Sequence, residues 1–258
     1  MLIYTLGTCS GTEPFPGFRH TSLAVKTEQG VYFIDAGESG AYTAHLNGID
    51  LLKTKAIFIT HPHMDHVGGL GNLLWYIRKV GYVRKQSLTS KDNIDIFTPC
   101  LGTVEGFMQV LNNTEGNFEI DYTHTVHKIS DGPVFDNGDI RVTAMHTHHM
   151  PMRDSEYQSF AYKLECEGKT VVFSGDMRIE DIDANVPEKC DALFVETGHH
   201  QIEDLCQRIK DTGKNVNELF FVHHGGYIMR DPENAKIRAE KAFGGTVHIC
   251  RDADVYNL

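Results

Sequence analysis

Residues 58–71 read FITHPHMDHVGGLG. Three histidines and an aspartate, His61, His63, Asp65 and His66, fall within six positions, directly after the apolar run Ile57–Phe58–Ile59. That run has the β-branched and aromatic character of a buried strand end, and Pro62 stops any immediate helix. In extended chain, residues two apart face the same way, so His61 and His63 point together. Gly68, Gly69 and the apolar face beyond them open a helix, which sets Asp65 and His66 near its first turn, aimed back at the same space. Four such groups left unpaired in apolar surroundings would cost on the order of a few kcal/mol each. A divalent cation removes that cost, and the spacing H-x-H-x-D-H, the strand before it and the glycines after it all agree with a metal site.

The flanking chain is read by its periodicity. Strand-length runs recur: LIYTL, TSLAV, VYFID, AIFIT, DIRVTAM, SFAYKLE, TVVFS, ALFVE, ELFFV and TVHIC, several joined by tight turns such as TEQG and CEGK. Helical spacing marks GLGNLLWYIRKV, where Leu70, Leu73, Leu74 and Ile77 share a face, and also TVEGFMQVLNN, QIEDLCQRIK and DPENAKIRAEKAF. The last begins with Asp231 as N-cap and Pro232 at the first helical position. Residues Gly81–Asn93 are polar and read as a surface loop. Many strands with interspersed helices predict an α/β chain of layered sheets.

The chain has 258 residues, and no linker-like stretch divides it, so one domain over residues 1–258 is expected. A net charge of −11 disfavours polyphosphate at long range, so nucleic-acid binding would need a local basic patch. Arg78, Lys79, Arg84 and Lys85 make only a modest one. The six cysteines are scattered without a C-x-x-C pair, and the N-terminus MLIYTLGTCSG reads as a first strand with no signal peptide. No apolar run approaches membrane-spanning length. A cytoplasmic protein is expected. Fifteen histidines stand out, many in clusters: His146, His148 and His149; His199 and His200; His223 and His224.

The segment THPHMDHVGG resembles the signature of the metallo-β-lactamase superfamily of metallohydrolases. FIDAGESG is similar to the strand and turn before that signature, and VTAMHTHHM, VVFSGDM and LFFVHH stand where the family places later ligands. LGTCSGTEPFPGFRHTSL resembles the N-terminus of the ribonuclease Z and cyclic-phosphodiesterase branch. The resemblance implies a four-layer αββα sandwich of two mixed sheets flanked by helices. It also implies a binuclear site. His61, His63 and a third histidine would hold one metal; Asp65, His66 and a last histidine the other; Asp176 would bridge them. The third histidine is His149 with His148 as alternative, and the last is His223 with His224 as alternative. The unused member of each pair would orient a ligand or meet substrate, and Asp35 would orient a ligand histidine. Imidazoles and carboxylates without thiolates suit Zn²⁺ first, then Mn²⁺ or Fe.

Such a pair of ions would activate a shared water for attack on phosphorus or carbonyl carbon, with Asp65 holding or accepting its proton. The branch carries a His-Glu-Ala-Thr segment where this chain has Val195-Glu196-Thr197-Gly198. Glu196 matches, and His199 or His200 would supply the proton for the leaving group. Arg19 and His20 are candidates for binding a phosphate oxygen. The expected reaction is hydrolysis of a small or cyclic phosphodiester, or of RNA. The alternative is a lactone, thioester or β-lactam hydrolase with the same metal site. A homodimer is left open.

Overall fold

The protein is described here from a computed structural model covering residues 1–86, 93–114, 122–151 and 157–258. Strands β1 (Leu2–Gly7), β2 (Ser22–Lys26), β3 (Val31–Ile34), β4 (Thr54–Phe58), β5 (Asn93–Thr98) and β6 (Thr123–Lys128) build the first sheet. The second holds β7 (Gly132–Asp136), β8 (Arg141–His146), β9 (Phe160–Cys166), β10 (Lys169–Phe173), β11 (Lys189–Thr197), β12 (Asn215–His224) and β13 (Thr246–Ile249). The last strand, β14 (Val255–Asn257), returns to the first sheet beside β1. The two seven-stranded sheets run β14-β1-β2-β3-β4-β5-β6 and β13-β12-β11-β10-β9-β8-β7. Both are mixed: β3 to β6 and β10 to β13 pair in parallel, the remaining neighbours antiparallel.

β4 explains why the layers stack. Its side chains alternate between two apolar faces. Ala56 and Phe58 enter the core between the sheets, where Phe58 stacks on Phe97 at 4.9 Å and meets Tyr162 of the other sheet at 5.5 Å. Ile57 and Ile59 face the opposite way, onto helices α1 (Gly40–Leu46) and α3 (Leu70–Arg84). A strand buried on both faces reads as a continuous apolar run. β12 does the same in the second sheet. Phe220 and Val222 join the central core; Leu219 and Phe221 pack under α6 (Ile202–Asp211) and α8 (Pro232–Phe243). The result is four layers, helix, sheet, sheet, helix.

The remaining helices are α2 (Met64–Val67), α4 (Leu101–Asn112), α5 (Asp181–Asn185) and α7 (Gly226–Arg230). The Asp231 side chain caps α8 by accepting from Asn234 N at 3.1 Å, with Pro232 in the first turn. Two boundaries differ from expectation. The helix after the histidine motif comes in two pieces, α2 and α3. The polar stretch expected as a loop from Gly81 instead continues α3 to Arg84, with Gly81 buried in the helix, and Asn93 already belongs to β5; residues 87–92 of that stretch lie outside the described ones. No helix among the described residues is long and apolar enough to cross a membrane.

Candidate metal centre

The chemistry-bearing side chains sit at the carboxyl ends of β4, β8, β10, β11 and β12, where parallel strands leave a crevice. Each is aimed by a local irregularity. β4 ends at Phe58; His61 and His63 follow in extended chain, and His63 stands just before α2, which turns Asp65 and His66 inward. Asp176 follows Gly175, whose φ of 55° and approach to a backbone carbonyl suit glycine: a Cβ there would lie 2.6 Å from Phe160 O. His223 is the extra residue of a bulge. Glu196 pairs with Val222 and Thr197 with His224, so His223, at φ 49°, has no ladder partner and points out of the strand. Gly198 makes room for it, since a Cβ there would stand 2.6 Å from His223 Nδ1.

Three groups of ligand-type atoms result: His61, His63, His149 and Asp176; Asp65, His66 and His223; and Asp176, His199 and His223, which draws one member from each of the first two and adds His199. In the first, His63 Nδ1 lies 3.0 Å from His61 Nε2 and 3.3 Å from His149 Nε2, and Asp176 Oδ2 lies 3.5 Å and 3.6 Å from those two nitrogens. In the second, Asp65 Oδ2 is 3.5 Å from His66 Nε2 and 3.1 Å from His223 Nε2. Asp176 Oδ1 is 3.3 Å from each of the same nitrogens. One carboxylate thus faces both groups, an oxygen to each. Ligands held at about 2.0–2.1 Å around a tetrahedral ion lie roughly 3.4 Å apart; these separations scatter about that value.

The buried atoms His66 Nε2 and Asp176 Oδ1 make no hydrogen bond. Fully buried polar atoms left without partners are rare and costly, so the donor set fits divalent cations better than it fits itself. Electrostatics agree. Burial opposes charge on Asp65 and Asp176, yet neighbouring histidines, His223 foremost, hold both carboxyls well below the usual range. Burial likewise opposes charge on His66 and His223, but Asp176 overrides it, raising His66 strongly and His223 to about 9. His61 is pushed down by burial and by His66. Asp35 supports from behind. It lies 2.7 Å from His66 Nδ1 and accepts from Thr60 N at 2.7 Å.

A cavity of about 420 Å³ opens over the first two groups, walled by Ser10, Gly11, Thr12, Gly198 and His199 among others. His199 Nδ1 lies 3.0 Å from Glu196 Oε1, and that contact raises the imidazole pKa against the effect of burial. Glu196 is held at about 2, burial opposing and His199 and His223 prevailing. His200 Nε2 donates to the Met177 carbonyl at 3.0 Å and lies 3.5 Å from the same Glu196 oxygen, and of the two histidines His199 walls the cavity.

The remaining candidates divide. His149 stands in the first group, whereas His148, half exposed, turns to Asp181. His224, the alternative ligand and otherwise a candidate for orienting a ligand or meeting substrate, does not wall the cavity. Its ring is fully buried, with Nδ1 2.9 Å from Thr197 Oγ1 and Nε2 2.8 Å from Cys250 O. Arg19 and His20 do not wall the cavity; Arg19 lies 3.7 Å from Asp252 and His20 3.6 Å from Glu38. Thr60, Ser10 and Asp181 escaped the reading of the sequence, because single polar residues carry no spacing signal.

The sequence profile of the Anti-Pycsar protein Apyc1 family matches residues 1–217 of the 258. A ribonuclease Z from Methanothermobacter thermautotrophicus is 30% identical over 149 residues, 58% of this chain and 45% of that one. A second ribonuclease Z, from Mycolicibacterium paratuberculosis, is 27% identical over 184 residues, 66% of this chain and 61% of its own. The chain spans about half the length of these curated relatives. Among solved structures, the metallo-β-lactamase fold protein YhfI from Bacillus subtilis superposes with a TM-score of 0.76 at 18% identity, covering 99% of this chain and 98% of that one. The short form of human tRNase Z superposes at 0.74 and 18%, covering 100% and 99%.

Proposed function

The chain belongs to the Anti-Pycsar protein Apyc1 family, with the metallo-β-lactamase fold, and from that premise we propose a two-metal hydrolase of small or cyclic phosphodiesters. The observation that carries the reading is the Asp176 carboxylate, one oxygen 3.5 Å from His61 Nε2 and the other 3.3 Å from both His66 Nε2 and His223 Nε2. His61, His63 and His149 would hold one ion, Asp65, His66 and His223 the other, and Asp176 both. Zinc suits neutral imidazoles and carboxylates at tetrahedral spacing. When bound, two such ions supply Lewis-acid charge at the phosphate oxygens and bring the pKa of water toward neutrality.

The chain's own groups then have separable tasks. Asp65 would accept a proton from the attacking water. His199, whose pKa Glu196 raises, would donate a proton to the departing oxygen. Gly11 keeps the wall over Asp65 low, since a Cβ there would lie 2.9 Å from Asp65 Oδ2. Small substrates are favoured over RNA by the net charge of −11 and by the state of the basic patch, where Arg84 is engaged by Asp50 at 2.9 Å and Lys79 lies over the Trp75 ring. Six unpaired cysteines support a reducing compartment such as the cytoplasm.

The test is a substrate panel on zinc-loaded protein: bis-p-nitrophenyl phosphate, cyclic nucleotides, short RNA, a lactone and a thioester. Phosphodiester turnover lost in Asp176→Ala is expected. Turnover confined to the lactone or thioester would replace this reading with carbonyl hydrolysis, and turnover of RNA alone would move the substrate class to ribonucleotide chains.

A further inference from the structure

We propose that Asp181 is a positioning residue for the metal centre, its carboxylate locking the turn that carries His149 to the turn that carries Asp176. The inference rests on the two-metal reading above. The two turns leave β8 and β10, and β9 lies between those strands. Strands two apart in a sheet are separated by about 10 Å, and no ladder hydrogen bond joins them. Yet His149 Nε2 and Asp176 Oδ2 are 3.6 Å apart. The turns must lean together past the end of β9, and something must hold them there.

The Asp181 side chain, 4% exposed, joins them directly. One carboxylate oxygen accepts from His148 N and from Arg178 N, each at 2.9 Å; the other lies 2.5 Å from His148 Nδ1. His148 immediately precedes His149, and Arg178 is two residues past Asp176. A carboxylate offers about four acceptor sites on two oxygens, so one side chain satisfies three donors from two turns. Thr147 adds a second tie, its hydroxyl donating to Asp176 O at 2.7 Å. Groups that hold ligands in place typically contribute tenfold to a hundredfold to metal affinity.

The test reads metal binding apart from turnover. Metal-free protein is titrated with zinc against a chromophoric chelator, and the melting temperature of the metal-free form is recorded alongside. Asp181→Ala is expected to weaken the ion among His61, His63 and His149 by about tenfold to a hundredfold, and the other ion, which shares only Asp176 with the clamped turns, by clearly less. Asp181→Asn keeps a carbonyl oxygen for the two backbone N–H groups and turns its amide to His148 Nδ1, so it should restore binding to within about threefold. Thr147→Val should weaken the same ion, by less. Native affinity for both ions in Asp181→Ala, or equal weakening of both, overturns the inference alone. Fewer than two ions in the unaltered protein overturns the two-metal reading and this inference with it. Should Asp181→Ala not fold, Thr147→Val carries the test, and native affinity there counts against the clamp.

Discussion

His223 and His224 are neighbours with opposite surroundings, and a single bulge separates them. The unpaired His223 projects toward Asp65 and Asp176, while His224 resumes the ladder and enters the core. Burial lowers the His224 pKa to about 4, so its ring is a neutral packing element. His223→Ala should therefore lose affinity for one zinc ion, and with it the part of the melting temperature that this ion supports. His224→Ala should retain both ions but lose about 2–4 kcal/mol of stability, as large-to-small changes at buried sites do. Paired zinc titrations and melting curves separate the two outcomes. Gly198→Ala would press a Cβ to 2.6 Å from His223 Nδ1 and should weaken the same ion as His223→Ala. At this scale the signature His61–His66 was legible because four ligand types share one short spacing. The choices within His148/His149 and His223/His224 were not, since spacing alone does not reveal a bulge.

Among the elements, the C-terminal segment has a specific task. Asp252 accepts from Thr8 N at 2.9 Å, Thr8 Oγ1 at 2.8 Å and Arg19 N at 2.6 Å, pinning both ends of the segment whose middle, Ser10 to Thr12, walls the cavity. Burial outweighs these bonds and raises the carboxyl to about 6 from a model-peptide value of 3.8. The folded state thus binds this proton more tightly than the unfolded state does. Its contribution to stability is greatest below about pH 4 and is lost as the pH rises to about 6, a change of about 3 kcal/mol. Asp252→Asn should flatten that part of the stability profile, measured by urea unfolding from pH 4 to 7; an unchanged slope would show the carboxyl titrating normally. The strong apolar runs were readable as strands because both of their faces are buried. β5, β7 and β14 were not among the runs read as strands, and neither was β6, which at the edge of its sheet alternates half-buried with exposed residues and carries His124 and His127. The end of α3 was misjudged because Gly81 sits inside the helix, where a break was expected.

For the whole molecule, both sheets must contribute to one centre. Asp65 and His66 follow the first sheet's β4, while His149 and Asp176 follow strands of the second and His223 lies near the end of its β12. A pair of metal ions held between the sheets would bind only the folded state, so under the two-metal proposal chelation should lower the melting temperature. A ligand at a thousand times its Kd stabilises by about 4 kcal/mol, which for a chain of this size is on the order of 10 °C. The layered fold was legible from strand runs and helix periods together, because periodicity reports which faces are covered. How the turns from separate strands meet was not, since that depends on ties such as Asp181 that leave no pattern in the chain. The most direct measurement is anomalous diffraction from zinc-soaked crystals on either side of the zinc absorption edge. Two peaks are expected, one among His61, His63 and His149 and one among Asp65, His66 and His223, with the Asp176 carboxylate between them. A single peak, or two peaks with Asp176 turned away from either, would contradict the shared centre.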